Sequence, residues 1–559
     1  MKSFSKYFIG LALISSVGFT SCVNDLDVPP RDPNVETPEQ MFAKDPRGTM
    51  DALISEVYQG LATSSCWGPG DTNLGLAGDA GATAFPRQLF FLEEIGTDEF
   101  SWLQFADAGL YEMVTMNYAP DNEIMYTAYS RLYTQIAICN EVIRTIENNR
   151  GLLSADDVHV ADEYIRQAKI CRSLCYFYAI SEWGNTGYVD ETSPSGAAPE
   201  QMARADVYDK VVSTLEAVSA EYGDAYNTPV YGYVGKECAD ALLSRFYLNA
   251  AYWTGTPAYD KCWQISQKII NHHRGAGYDN TGLADSYIAL FGANNHEYAA
   301  GGSRVNEIIW TTPQDGSNLQ SYGGSTFYIA TVCGSYDGIS AIQDCNMDAQ
   351  WTCMVARQQL SERMEFDADG NPTDMRSMLW KTSKDGFKID NSTIMGNAGY
   401  GQGYAPIKYT NYAYDEFGNI DMDASPSSSN AFADCDWTVI RLAEIYLNAA
   451  EANIVGNAGD ANTALEYVNA VRGRAGVEPW TMGNMTAANI LDERSRELYG
   501  ENIRRTDLVR HNKFAGNAYN WNWKGGTHHG TGTDPRNNLY PIPTKVISFQ
   551  GYKQNDGYN

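Results

Sequence analysis

The stretch Arg441-Leu-Ala-Glu-Ile-Tyr-Leu-Asn-Ala-Ala-Glu451 brings small and apolar residues back at helical spacing. Across 437–455, Ile440, Ala443, Tyr446, Leu447 and Ala450 share one stripe, which predicts a helix. Gly456 and Gly459 break the pattern, and 460–472 supplies a second stripe of Ala464, Leu465, Val468 and Val471. A helix, a short glycine turn and a second helix make a helical hairpin.

The same grammar recurs upstream. Residues 122–149 align Met125, Tyr129, Leu132, Ile136, Cys139, Val142 and Ile146. Residues 160–183 follow with Ala168, Cys171, Cys175 and Tyr178. Leu242, Leu243, Phe246, Tyr247, Ala250 and Ala251 mark 236–253, and a Thr-Gly-Thr-Pro break leads to 258–271 with Cys262, Ile265 and Ile269. The fold class is therefore mostly α, with a scaffold of hairpins that match tetratricopeptide repeats in shape, not through a fixed repeated motif. Residues 60–121 and 294–436 lack this period and are rich in Gly, Asn, Asp, Ser and aromatics. Loops this long are uncommon unless they carry function. They predict one large irregular, loop-rich lobe packed on the scaffold.

The N-terminus reads as an export signal. Lys2 and Lys6 precede an apolar run from Tyr7 to Phe19, which ends in Phe19-Thr20-Ser21-Cys22. The run is too short for a spanning helix, which needs about 20 apolar residues. Small residues before Cys22 predict a bacterial lipoprotein acylated at that cysteine; an ordinary signal with an incidental cysteine is the alternative. Asp25, Asp27, Asp32, Pro29, Pro30 and Pro33 then describe an acidic, extended tether. The expected organisation is a signal peptide at 1–21, a lipidated N-terminus and tether at 22–40, and a single α-rich domain at 41–559. A formal net charge of −29 argues against nucleic-acid and anionic-lipid surfaces.

Catalytic signatures are missing. The seven histidines form no H-E-x-x-H, and there is no G-x-S-x-G and no Walker loop. Gly399–Gly403 reads as a loop. Glu93-Glu94 does not place two carboxylates across a glycosidic bond. Glu365–Gly370 imitates a calcium loop, but Arg376 stands where a bidentate glutamate is needed, so it reads as an acidic turn. Of the cysteines, Cys171 and Cys175 look like core. The ten that follow Cys22 read as buried free thiols, with a disulfide framework as the alternative in an exported chain.

Five C-terminal pieces occur in a specific order: Arg441 to Glu451, Glu493-Arg-Ser-Arg-Glu-Leu498, Arg504-Arg-Thr-Asp-Leu-Val-Arg510, Tyr540-Pro-Ile-Pro543 and Gln554-Asn-Asp-Gly-Tyr558. Ala241 to Asn249 and Glu307-Ile-Ile309 join them upstream. Together they resemble the SusD/RagB family of outer-membrane nutrient-binding lipoproteins, across nearly the whole chain. Trp521-Asn-Trp523-Lys-Gly-Gly526, Gln314-Asp-Gly316 and Tyr322 to Phe327 narrow the resemblance to a starch-binding member.

That resemblance implies a cell-surface-exposed lipoprotein, anchored in the outer membrane through Cys22. It would bind starch or maltooligosaccharide without cutting it and deliver it to a SusC-like TonB-dependent barrel. It places Trp102, Tyr322 and Trp351 on an aromatic arc, with Asp79 and Arg87 as polar contacts. Asp107 falls where the family protein has an asparagine, and a carboxylate cannot donate hydrogen bonds. Core packing is the competing reading for each aromatic; Trp521 and Trp523 read as core or loop packing. Three aromatic contacts and three hydrogen bonds, less ordering costs, suggest an affinity between roughly 10 μM and 1 mM. No cofactor is required for binding, but the resemblance implies a structural calcium at Asp434 and Asp436, with His296 nearest the place of a third ligand. The alternative is that one of these aspartates caps the helix expected at 437. A different polysaccharide, an enzyme acting on the same polymer, and a protein-interaction scaffold without sugar binding are the rival functions.

Overall fold

The computed structural model describes residues 36–74, 76, 79–102, 107–226, 229–334, 345–351, 353–364, 372–381 and 404–558. The signal, Cys22, most of the tether, the acidic turn at Glu365–Gly370 and the glycine-rich Gly399–Gly403 lie outside them.

The hairpin grammar holds. α1 (Pro38–Lys44) and α2 (Pro46–Ala62) lead to α3 (Phe85–Glu93) and α4 (Leu110–Thr115). α1 begins at Pro38, inside the span expected to be tether, because Thr37 and Gln40 form a capping box. The long scaffold helices follow as α5 (Glu123–Asn148), α6 (Ala155–Trp183), α7 (Arg204–Glu221), α8 (Lys236–Thr254) and α9 (Tyr259–His273), each packed against the next. α10 (Ser325–Ala330) and α11 (Gln358–Arg363) are single turns and a half within the lobe. α12 (Leu442–Gly456) and α13 (Ala461–Arg474) form the C-terminal hairpin the glycine break predicts, and α12 lies on α9. α14 (Ala487–Leu498), α15 (Arg504–Arg510) and α16 (Thr544–Gln550) close the chain.

One boundary needs correction. The helix expected from 437 starts at Leu442. Residues Trp437–Arg441 are a fully buried strand paired antiparallel to Ile308–Thr312. A short apolar run with Trp, Val and Ile suits either element by period alone, and pairing decided it.

The two irregular stretches are knit together by a sheet. Strand Phe100–Trp102 from the first pairs with Met354–Ala356 from the second, and Tyr404–Pro406 and Leu379–Lys381 extend it. Trp102 stands opposite Met354 in this register.

The reading of all remaining cysteines as free thiols is overturned for one pair: Cys333 and Cys345 are disulfide-bonded. Cys139, Cys171, Cys175, Cys238, Cys262, Cys353 and Cys435 are buried free thiols, and Cys66 is exposed.

The motifs that carried the family resemblance form a buried ionic lattice. Arg441 contacts Glu307, Glu497 and Glu501, and Arg474 joins it on Glu307 and Glu497. Arg376 reaches Glu493 at 2.7 Å, and Arg245 reaches Glu444 at 2.6 Å. Arg494 and Arg510 share Asp507 and Glu451. Buried charges are tolerated when paired, and each of these guanidinium groups meets at least one carboxylate, which ties helices to lobe.

Candidate glycan-binding site

Two loops build the site by touching at backbone distance. Gly81 has φ of 78°, and a Cβ there would fall 2.4 Å from the Gly323 nitrogen. A Cβ on Gly323 would fall 2.2 Å from the Gly81 oxygen. Only glycines permit this approach. It lets the Arg87 amide donate to the Gly323 carbonyl at 3.1 Å and sets the first turn of α3 beside Tyr322.

Arg87 is buried, with 3% of its side chain exposed. Its guanidinium lies over the rings of Phe91 and Phe327 and donates to Asp79 at 2.9 Å and Asp107 at 2.7 Å. Asp79 is 61% exposed and Asp107 24%. The resemblance puts Arg87 among the polar contacts. The structure makes it a buried clamp that presents two carboxylates, which accept hydrogen bonds from hydroxyls.

The aromatic arc divides into two layers. Tyr322 and Trp351 are half-buried, with ring centroids 6.4 Å apart and planes inclined by 43°. Phe432, which the sequence did not single out, packs 4.6 Å from Tyr322. Beneath them Phe327 stands 6.5 Å from Trp351 and stacks on Trp102 at 5.7 Å. Trp102 is only 5% exposed and also meets Phe91 edge-on. It supports the arc from below, as its place at the end of a buried strand dictates. Trp351 is held by its amide, which donates to Ala330 at the end of α10 at 2.7 Å. Trp521 is fully buried core, as its sequence context suggested. Phe432 carries no sequence signal beyond an aromatic in a loop.

Asp434 and Asp436 lie before a strand, so neither caps a helix. Asp436 is buried and accepts from the Tyr231 and Thr311 hydroxyls and from the Gln314 amide. Burial pushes its carboxyl up to about 7, against those donors. Asp434 accepts from the Gly316 amide, and its other oxygen is buried without a partner. Among the described residues no third carboxylate, histidine or thiol gathers with them. Both Asp436 oxygens face N–H and O–H donors and anchor the 311–316 loop, while the unpartnered Asp434 oxygen is a hard donor of the kind a calcium ion takes.

The adjacent acids Glu93 and Glu94 are fully buried and tie the end of α3 to the C-terminal region. Glu93 accepts from the Thr506 amide and hydroxyl, and Glu94 from the Asn502 amide. A separate groove of about 1000 Å³ runs between α2, α5 and α16, and none of the expected sugar contacts lines it.

Comparison with known proteins agrees with the sequence resemblance. Residues 306–558 match the SusD family. The chain is 28% identical to the starch-binding protein SusD of Bacteroides thetaiotaomicron, over 99% of both chains. It is also similar to a SusD superfamily protein of Parabacteroides distasonis, with a TM-score of 0.66 at 19% identity, covering 92% of this chain and 99% of that one. A surface glycan-binding protein A of B. thetaiotaomicron, solved with laminarihexaose, gives a TM-score of 0.62 at 19% identity, covering 91% and 99%. The resemblance to the SusD family is thus shown, with the fold shared along nearly the whole chain. No helix among the described residues is long and apolar enough to cross a membrane.

Proposed function

We propose that this SusD-like chain is a non-catalytic, cell-surface lipoprotein that captures starch or maltooligosaccharide. It would be acylated at Cys22, sit on the outer membrane, and hand its glycan to a SusC-like TonB-dependent barrel. The observation that carries the reading is the half-buried Tyr322–Trp351 pair flanked by Asp79 and Asp107. Rings inclined by 43° cover successive sugars of a chain that bends, as an α-1,4-glucan does; a flat ribbon would need coplanar rings. The carboxylates supply acceptors for hydroxyls at the edge. The relative with 28% identity along the whole chain is named for starch binding, which supports the same glucan.

A second reading keeps the role and changes the glucan. The site presents acceptors without a free donor at Asp107, and a neighbour of like fold was solved with laminarihexaose. Isothermal titration of maltoheptaose and laminarihexaose into the protein separates the two. Binding of maltoheptaose alone, near 100 μM within the roughly 10 μM to 1 mM range, is expected. Binding of laminarihexaose alone would reassign the substrate. Reducing ends should not accumulate in starch incubated with the protein, and their release would replace capture with hydrolysis.

A further inference from the structure

The helices α8 and α9 bring three metal-ligating side chains together far from the aromatic arc in sequence. Glu237 is the second residue of α8, and His272 and His273 are the last two of α9. One carboxylate oxygen of Glu237 and one ring nitrogen of each histidine lie within 4.8 Å of one another. Among the described residues this is the one such gathering of three. Glu237 and His273 are buried and in direct contact, Oε1 to Nε2. His272 is exposed, its ring edge-on to His273 at 5.1 Å.

We propose that Glu237, His272 and His273 form a binding site for a zinc-class divalent cation, clasping the start of α8 to the end of α9. Two imidazoles and one carboxylate are the donor set that borderline transition metals take, with a fourth position left to water on the exposed side. The last turn of α9 adds the negative end of a helix dipole, which favours a cation. The neighbouring lysines do not oppose it unbalanced. Lys236 and Lys268 both face Asp240, at 3.9 and 3.7 Å, and Lys236 also donates to the Ser219 carbonyl. Tyr226 flanks the His272 ring at 5.0 Å and donates its hydroxyl to Asp240, so it steadies the ring without competing for the ligands. Binding would replace the His273–Glu237 contact with two bonds to one ion.

The test is zinc titration of the untagged chain after EDTA treatment and dialysis, by calorimetry and by thermal melting. One zinc per chain is expected, with a rise in melting temperature. Cobalt in its place should give visible absorption of a nitrogen- and oxygen-ligated ion. His272→Gln and Glu237→Gln should each weaken binding about tenfold or more. Because His272 is exposed, His272→Gln should leave the metal-free melt unchanged. The double variant His528→Gln, His529→Gln removes the other adjacent histidine pair and should bind zinc as before. No saturable binding, binding unchanged in His272→Gln, or binding lost with His528 and His529 would each overturn the site.

Discussion

Arg87 donates to the Asp107 carboxylate at 2.7 Å while its own guanidinium is buried over the rings of Phe91 and Phe327. The cation therefore lies beneath the site and the carboxylate at its surface. On the proposed reading, a sugar would meet the acceptor, oriented by a donor beneath it. Asp107 is thus more than a departure from the family's asparagine, because it completes a clamp that also fixes Asp79.

Asp107→Asn should keep a contact to Arg87 through its amide oxygen and regain a donor for hydroxyls. Asp107→Ala should leave Arg87 paired with Asp79 alone and weaken glucan binding by about 1–3 kcal/mol, roughly 5- to 150-fold. Calorimetry on both variants checks this; equal loss in the two would show that the carboxylate's charge and second acceptor matter and that the oxygen kept on Arg87 does not.

The layering of the arc separates its rings by function. Tyr322→Ala and Trp351→Ala should each cost about 1 kcal/mol or more of glucan affinity with little change in melting temperature. Trp102→Ala should instead cost about 3–5 kcal/mol of stability, because it removes a buried ring stacked on Phe327. Thermal melts read beside binding isotherms decide it; a fully stable Trp102→Ala variant without affinity would return Trp102 to the sugar face.

Glu497 tests the buried lattice. Burial alone would raise its carboxyl, but Arg474, Arg441 and Arg376 overcome this and hold it at about 2. With the folded value below the ordinary 4.5, its stabilisation is complete above pH 4.5 and fades as pH falls towards 2. Glu497→Gln should leave three guanidinium groups underpaired and cost about 3–5 kcal/mol in urea melts at pH 7. The variant should also lose less stability than the parent between pH 4.5 and 2.

The Cys333–Cys345 bridge closes a short loop, with 12 residues of separation. Replacing both cysteines by serine should lower stability by up to about 3 kcal/mol, through the greater freedom of the unfolded chain. Chemical denaturation with and without dithiothreitol should show the same difference in the parent and none in the variant.

The scaffold was legible because it repeats. The stripes at 122–149, 160–183, 236–253 and 258–271 mark helices that packing left near their expected ends. The strand at Trp437–Arg441 was not, since its pairing with Ile308–Thr312 lies more than a hundred residues away. Motifs such as Arg441 to Glu451 and Glu493 to Leu498 carry the family resemblance and build this chain's buried lattice. They say nothing of the sugar. The arc depends on Gly81 meeting Gly323 and on Phe432 reaching Tyr322, and neither contact leaves a periodic mark. Exposure was equally invisible: the resemblance puts Trp102 on the arc and Arg87 among its polar contacts, and both are buried.

Native electrophoresis of the purified protein through gels containing amylopectin tests the central claim most directly. Capture by the arc predicts strong retardation that disappears when Tyr322 and Trp351 are both changed to alanine, with the melt unchanged. Migration unaffected by amylopectin in the parent protein would contradict it.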